Sequence, residues 1–190
     1  MEQGIILVAT ILVLLLGLIG LIDGFYYHLW KFKLHLHSET RFEHWTHTIR
    51  AATFLAILFL FFLNDYGGKW FLLGVVIVIL DIIVLVVDMV AEGNSRQNLG
   101  GLPHKEYIIH VVANTLHFIS LALIMAAKPL TAWNINSPTN LHREFPEFTQ
   151  IVAENLIPGA TLLVLGHVLL MNKKIASIFN SLQHYLIKQF

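Results

Sequence analysis

The stretch Asp81-Ile-Ile-Val-Leu-Val-Val-Asp88 places two carboxylates inside an otherwise apolar run from Trp70 to Ala91. Seven residues make almost two helical turns at ~100° per residue, so a helix would present both carboxylates on one face. A charge at the centre of a membrane helix costs about 2.5 to 3.5 kcal/mol on insertion scales. The pair therefore needs partners from the protein, from a metal ion or from water.

The composition indicates a membrane protein. Of the 190 residues, 56% are hydrophobic and only 13% are charged, and so few polar residues cannot cover such long apolar runs in a soluble domain. The 12 basic residues equal the 12 acidic residues, so no nucleic-acid partner is expected. Because the chain has no cysteine, thiolate metal sites and cysteine nucleophiles are excluded. Its 11 histidines require an explanation.

Five hydrophobic segments are long enough, at 1.5 Å per residue, to cross ~30 Å of hydrocarbon. They cover about residues 4–27, 44–64, 70–92, 105–128 and 149–171. Beyond them, apolar residues at steps of three and four predict an amphipathic surface helix over about 173–188. The expected fold is an all-α integral membrane protein, a single-domain bundle of five transmembrane helices plus a C-terminal amphipathic interfacial helix.

Basic residues are unevenly distributed between the two ends of this bundle. We name side A the end with the loops at 30–42 and 93–104 and the C-terminal tail, and side B the opposite end. Side A collects Lys31, Lys33, Arg41, Arg96, Lys105, Lys173, Lys174 and Lys188, and side B has Lys69, Lys128 and Arg143. Since cytoplasmic loops are enriched in Lys and Arg, side A is expected to be cytoplasmic and the N-terminus to be outside.

Polar residues of the spans fall into layers when they are counted inward from side A. Each span has one member in a layer ~6 Å below the side A boundary. The layer consists of Asp23, His47, Asp88, His110 and His167. A second layer about two turns deeper consists of Arg50, Asp81 and His117, and the residues nearer the surface are His28, Glu43, His44, Glu92, His104 and Glu106. The side B half of the same spans is almost entirely apolar.

The third and fourth spans have matching polar stripes. Glu106, His110, Asn114 and His117 step by four, four and three along the fourth span. The third span has acidic residues at the same levels, including Glu92. Complementary stripes at matching levels predict that the two helices face each other inside the bundle.

Imidazoles and carboxylates that converge in a dry cavity are the ligands of catalytic zinc and of non-haem iron. A helical bundle suits such a site because facing helices project side chains into one core. The predicted metal ligands are Asp23, His47, Asp81, Asp88, His110, His117 and His167, and the predicted catalytic carboxylates are Glu43 and Glu106. The expected cofactor is a transition metal, iron or zinc, as one ion or two.

The function that follows is an intramembrane metalloenzyme with its site near the cytoplasmic side. Its substrate is expected to be a lipid or another apolar small molecule, with membrane lipids as surroundings and an oligomer or a protein partner left open. Iron would imply an oxidoreductase of the oxygenase or hydroxylase kind, whereas zinc would imply hydrolysis by a metal-activated water.

A haem b electron-transfer protein is one alternative. Its axial ligands would come from His47, His110, His117 or His167. Carboxylates at the same depth argue against it, because a haem pocket is normally apolar around the iron.

A metal-ion or proton transporter is another alternative, with Asp81, Asp88 and His117 as the transit path. The apolar side B half offers that path no exit. Some of these residues also have a structural interpretation, in which Arg50 and Asp81 form an ion pair and His117 bonds to Asn114 or to a backbone carbonyl.

Overall fold

The computed structural model describes residues 2–141 and 145–189, so Arg143 lies outside the described residues. The described chain is 84% helix and has no strands. The helices are α1 (Glu2–Leu21, continued by a π-helix, Ile22–Lys31), α2 (Arg41–Ile57, continued by a π-helix, Leu58–Leu63), α3 (Gly68–Ser95), α4 (His104–Ala126), α5 (Glu147–Leu170) and α6 (Lys173–Gln189). Short 3₁₀ turns occupy Leu34–Leu36, Gln97–Leu99 and Leu130–Trp133.

Five helices are long and apolar enough to cross a membrane, as the sequence predicts. They are Glu2–Lys31, Arg41–Leu63, Gly68–Ser95, His104–Ala126 and Glu147–Leu170. Each extends beyond the predicted hydrophobic core at one end or at both, because polar residues at the ends continue the helix. The sidedness of the bundle and its single-domain boundary stay predictions.

The predicted tail helix is present as α6. It packs against the end of α5 and against the Leu34–Leu36 turn. On its packed face Ala176 and Gln183 are buried, and the Gln183 amide donates a hydrogen bond to the carbonyl of Trp30 at 2.7 Å. These contacts attach the tail to the side A end of the bundle.

The side B half of the bundle is a tightly packed apolar core. Its most buried members are Ile57, Leu58, Phe61, Phe62 and Phe71, each less than 2% exposed. The Phe61 and Phe71 rings meet edge to face, with centroids 5.7 Å apart. Buried polar contacts in this half include Lys128 with Asp65 and Thr10 with Thr149, whereas the larger polar cluster lies in the side A half.

The helix order leaves a gap on one side of the bundle. α1 packs along α4 and α5, and α2 packs along α3 and α5. α3 and α4 are not among the pairs that pack along each other. They meet instead through polar side chains, and these link the stripes that the sequence matched: Asp81 to His117, and Glu92 to His110.

The end of the first span departs from the α-helical geometry that the sequence analysis assumed. The helix continues as the π-helix Ile22–Lys31, beyond the hydrophobic segment that was predicted to extend to about residue 27. In a π-helix the hydrogen bonds join residues five apart, so residues with that spacing come onto one face. Asp23 and His28 therefore point the same way, whereas α-helical geometry would separate them.

Candidate metal centre

His28 lies at the centre of the polar cluster in the side A half. Its Nε2 is 3.5 Å from Asp23 Oδ1 and 3.5 Å from Glu106 Oε1. The side chain is buried, and neither ring nitrogen has a hydrogen-bond partner among the described residues. The ring of His47 lies beside it, with the two centroids 4.0 Å apart. His28 thus faces two acidic groups without bonding to either.

His47 is placed in a similar way between two carboxylates. Its Nε2 lies 3.5 Å from Asp88 Oδ2 and 3.8 Å from Glu43 Oε1, and it has no hydrogen-bond partner. Asp88 is fixed on its other side by a hydrogen bond from the Thr46 hydroxyl. This bond orients the carboxylate so that its second oxygen is directed at the imidazole.

Both ring nitrogens of His110 lie close to carboxylate oxygens. Its Nε2 lies 3.1 Å from Asp23 Oδ1, and its Nδ1 lies 3.2 Å from Glu92 Oε1. Histidine ligands of metal ions commonly have a carboxylate on the second nitrogen, which fixes the ring orientation. Glu92 is positioned to do this for His110.

Two groups of these residues could hold a metal ion. The first group is Asp23, His28, Glu106 and His110, and the second is His28, Glu43 and His47. Within each group the candidate ligand atoms all lie within 4.8 Å of one another. His28 belongs to both, so the two groups are parts of one centre.

Arg96 closes the centre at its side A end and is fully buried, with 0% of its surface exposed. Its Nε donates to both oxygens of Glu43, at 2.7 and 3.0 Å, and its Nη2 donates to Glu106 Oε1 at 2.7 Å. Burial alone would lower the pKa of Arg96, but the hydrogen bonds and charges of the two carboxylates outweigh burial and raise it. The guanidinium therefore stays charged and holds both carboxylates in place.

The formal charges of the centre do not balance. Asp23, Glu43, Asp88, Glu92 and Glu106 supply five carboxylates, whereas Arg96 is the one guanidinium among them. Among the residues that the structure describes, no fixed cation compensates the other four negative charges. Removing an ion from water costs several kcal/mol even after relaxation, so the excess must be compensated by bound cations or by protons.

The deeper layer forms a separate, internally bonded group. Asp81 accepts a hydrogen bond from the Thr53 hydroxyl and contacts His117 Nε2 at 2.9 Å, and Arg50 Nε lies 4.0 Å away. Arg50 Nη2 donates to Asn114 at 2.9 Å. His117 thus bonds to Asp81, not to Asn114 or a backbone carbonyl as the structural interpretation expected. The contacts link α2, α3 and α4.

His167 also stands apart from the two ligand groups. Its ring is stacked on that of His44, with centroids 4.8 Å apart and an interplanar angle of 8°. His44 Nε2 donates to the His167 carbonyl at 3.0 Å, and the Thr48 hydroxyl lies 3.4 Å from His167 Nδ1. His167 lines the same cavity as the cluster. These contacts attach α5 to α2.

The structure brings together only part of the predicted ligand set. Asp23, His47 and His110 belong to the ligand groups and Asp88 adjoins His47, whereas Asp81, His117 and His167 make contacts of their own. Glu43 and Glu106 lie among the candidate ligands, both bonded to Arg96. The metal and catalytic roles of all nine residues stay predictions.

The sequence pattern predicts no role in the centre for His28 or Arg96. His28 was placed nearer the surface because an α-helical count of depth does not apply to the π-helix. Arg96 was counted only among the charges of a side A loop. The signal for Arg96 was indirect: Glu43 and Glu106 face the bundle interior and need a buried cation.

A cavity of about 210 Å³ connects the layers. It extends from the cluster around His28 and His47 to Asp81 and His117. Polar side chains therefore line its interior, while the remaining walls are apolar.

Comparisons with protein families, with curated proteins and with solved structures find no match for this chain. Function must therefore be argued from the chemistry of the site itself.

Proposed function

We propose that the protein is an intramembrane transition-metal enzyme that acts on a lipid or another apolar small molecule. The metal is held in the side A half by the two ligand groups that share His28. The ion is iron or zinc, as one ion or two.

The observation that carries the proposal is the spacing around His28 Nε2. Two carboxylate oxygens lie 3.5 Å from this nitrogen, and neither forms a hydrogen bond with it. A hydrogen bond would bring the atoms to about 2.9 to 3.0 Å. Ligand atoms at ~2.1 Å from a tetrahedral ion are ~3.4 Å apart. The observed distances therefore suit atoms arranged around a common ion better than atoms bonded to each other.

The charge excess supports the same proposal. Four uncompensated negative charges equal the charge of two divalent cations. Protonation of His28, His47 and His110 would neutralise three of the four and leave one charge without compensation. Metal ions would offset the charges and coordinate one ring nitrogen of His28.

Arg96 holds two of the carboxylates in positions from which they can bind a metal ion. It bonds to Oε1 of Glu106 and leaves Oε2 of the same carboxylate buried without a partner. That oxygen is available to an ion. Arg96 is thus a positioning residue that holds Glu106 and Glu43 by one side.

A bound ion would supply Lewis acidity and an activated water in the case of zinc, or redox chemistry in the case of iron. The chain's own residues bind and orient. Glu92 lies 3.2 Å from the ring of His110, whereas hydrogen bonds from Thr46 and Arg96 hold Asp88 and the two glutamates. The apolar side B half excludes water from below the site.

The alternatives have less support. A cavity of about 210 Å³ is smaller than the ~300–1,000 Å³ of pockets that hold drug-sized ligands, and a haem is a large ligand. The core around Phe61 and Phe71 gives a transported ion no route to side B. No observation favours either alternative over the metalloenzyme.

Elemental analysis of the purified chain tests the proposal. The wild-type protein, supplemented with iron or zinc and freed of excess metal, should retain tightly bound ion, and His47→Ala and His110→Ala should lose it. His184→Ala, at an exposed position on α6, is the matched control and should retain the wild-type amount. A wild-type protein without retained metal after supplementation, or equal metal in all variants, would contradict the proposal.

A further inference from the structure

We propose that a hydrocarbon chain reaches the centre sideways from the bilayer, through the gap between α3 and α4. This inference rests on the proposed function only because it treats the hydrocarbon chain as part of the substrate. The opening itself follows from the packing of the helices.

The gap lies where neighbouring helices of the bundle fail to pack along each other. α3 and α4 line the same cavity, yet they are not among the helix pairs that pack along each other, and polar side chains link them at Asp81–His117 and Glu92–His110. The opening lies near the Glu92–His110 level and leads to the cluster.

Side chains at the gap belong both to the cavity and to the outer surface. Met89 of α3 is 63% exposed, Tyr107 of α4 is 57% exposed and Val111 of α4 is 47% exposed, and all three line the cavity. A residue that is both exposed and cavity-lining marks the mouth. The mouth is therefore rimmed by a thioether, an aromatic ring and a branched aliphatic group.

The surroundings of the mouth determine what can approach it. Val86, Val90 and Ile108 beside it are exposed and apolar, on helices long enough to span a membrane. In a bilayer this surface contacts acyl chains, so the group that meets the mouth is hydrocarbon.

The size of the cavity limits how much of the ligand enters. About 210 Å³ holds a segment of chain but not a whole lipid, because whole drug-sized ligands need ~300–1,000 Å³. The ligand class is thus a molecule with an extended chain that inserts partly while its remainder stays in the leaflet. The inserted segment passes Met89 and ends beside the His and Asp side chains.

A second apolar groove provides an internal control. It measures about 370 Å³, lies between the end of the first span, α5 and α6, and is lined by Phe25, Leu162 and Leu169 among others. None of its lining residues is acidic or a histidine. Leu163 lines both the groove and the cavity, but a hydrocarbon chain bound in the groove would contact only apolar side chains.

Photo-crosslinking with a long-chain fatty acid that has a diazirine near its methyl end tests the inference. The protein is reconstituted in lipid nanodiscs and the adducts are mapped by peptide mass spectrometry. Adducts are expected on cavity residues such as Leu85 and Ala113. The doubly substituted Met89→Trp, Val111→Trp protein, whose mouth is narrowed, should lose the cavity adducts. Leu169→Trp, in the second groove, should keep them.

Substitution of exposed residues should leave the fold intact, and circular dichroism and metal content serve as checks. The opposite change, Met89→Ala with Val111→Ala, should increase the cavity adducts. Adducts confined to outward positions such as Val90 and Ile108, or cavity adducts that neither pair of substitutions alters, would overturn the inference. Labelling is performed with and without bound metal. Cavity adducts in a protein that binds no metal would refute the proposed function but support the opening between α3 and α4. Bound metal without cavity adducts would support the proposed function but refute the opening.

Discussion

His28 Nε2 lies 3.5 Å from Asp23 Oδ1, a carboxylate five residues earlier in the same helix. The π-helix Ile22–Lys31 makes this approach possible because residues five apart share its face. π-helical turns occur frequently at functional sites. Here the turn presents an acid and an imidazole to the same cavity from one helix.

Moving the imidazole by one position tests this geometry. His28→Ala should lose bound metal because it removes the residue shared by both ligand groups. The double change His28→Ala, Tyr27→His puts an imidazole four residues after Asp23, the spacing that an α-helix would need. In the structure the side chain at position 27 lies against Phe32 and Lys31, away from the cluster, so elemental analysis should find no recovery. Recovered metal would show that the segment is α-helical, and exposed His104→Ala is the control.

Removing Arg96 should destabilise the protein strongly. Arg96→Met leaves Glu43 and Glu106 buried without their shared cation, and breaking a buried ion pair from one side costs about 3 to 5 kcal/mol. Denaturant unfolding in detergent measures the loss. Adding Glu43→Gln to Arg96→Met should recover part of it because one unpaired charge is removed. Lys105→Met, at an exposed position, should change little, and an equal effect of the two single changes would argue against the buried network.

His35 should make stability depend on pH. Burial, with smaller effects from His44 and Lys33, lowers the pKa of His35 from 6.5 to about 4. Between these values the unfolded chain binds a proton that the folded chain does not, so the free energy of unfolding should decrease as pH falls from 6.5 to about 4. His35→Phe should make this decrease smaller. Unfolding curves at several pH values measure it; His37→Phe, an exposed position, should follow the wild type, and parallel curves for His35→Phe would contradict the prediction.

Two glycines of α3 should respond in opposite ways to alanine. A Cβ on Gly74 would lie 2.6 Å from Cζ of the buried Phe61 ring, and overpacking of this kind costs about 1 to 3 kcal/mol. A Cβ on Gly93 meets nothing within 4 Å, so Gly93→Ala should stabilise the helix by about 0.5 to 1 kcal/mol. Thermal unfolding in detergent separates the two. An equally stable Gly74→Ala protein would mean that Phe61 repacks at no cost.

Much of the helical frame could be predicted because hydrophobic length and helical rise are local properties. The same count of residues placed Asp88, His47 and His110 at one level, and the structure brings them near one another. It also matched the stripes of α3 and α4. Spans whose geometry is α-helical throughout the counted stretch allow this kind of inference.

The parts of the candidate site that could not be predicted depend on tertiary structure. Nothing in the sequence around Asp23 indicates hydrogen bonds between residues five apart, so the position of His28 could not be counted. Arg96 lies in a loop that turns back into the bundle, and its burial depends on two glutamates from other helices. Asp81 and His117 were correctly paired in depth, but their mutual hydrogen bond separates them from the candidate metal groups.

The packed aromatic core of the side B half also has an electrical consequence. When one elementary charge crosses a whole membrane, its energy changes by about 2.3 kcal/mol for each 100 mV of membrane potential. In a bilayer most of the voltage would fall across the dry region around Phe61 and Phe71, beyond the deepest carboxylate, Asp81. An ion that enters from side A crosses little of that voltage. Binding of an ion at the centre would therefore be insensitive to the membrane potential. The apolar core would prevent charge from crossing the bilayer, although the protein holds several charged groups within it.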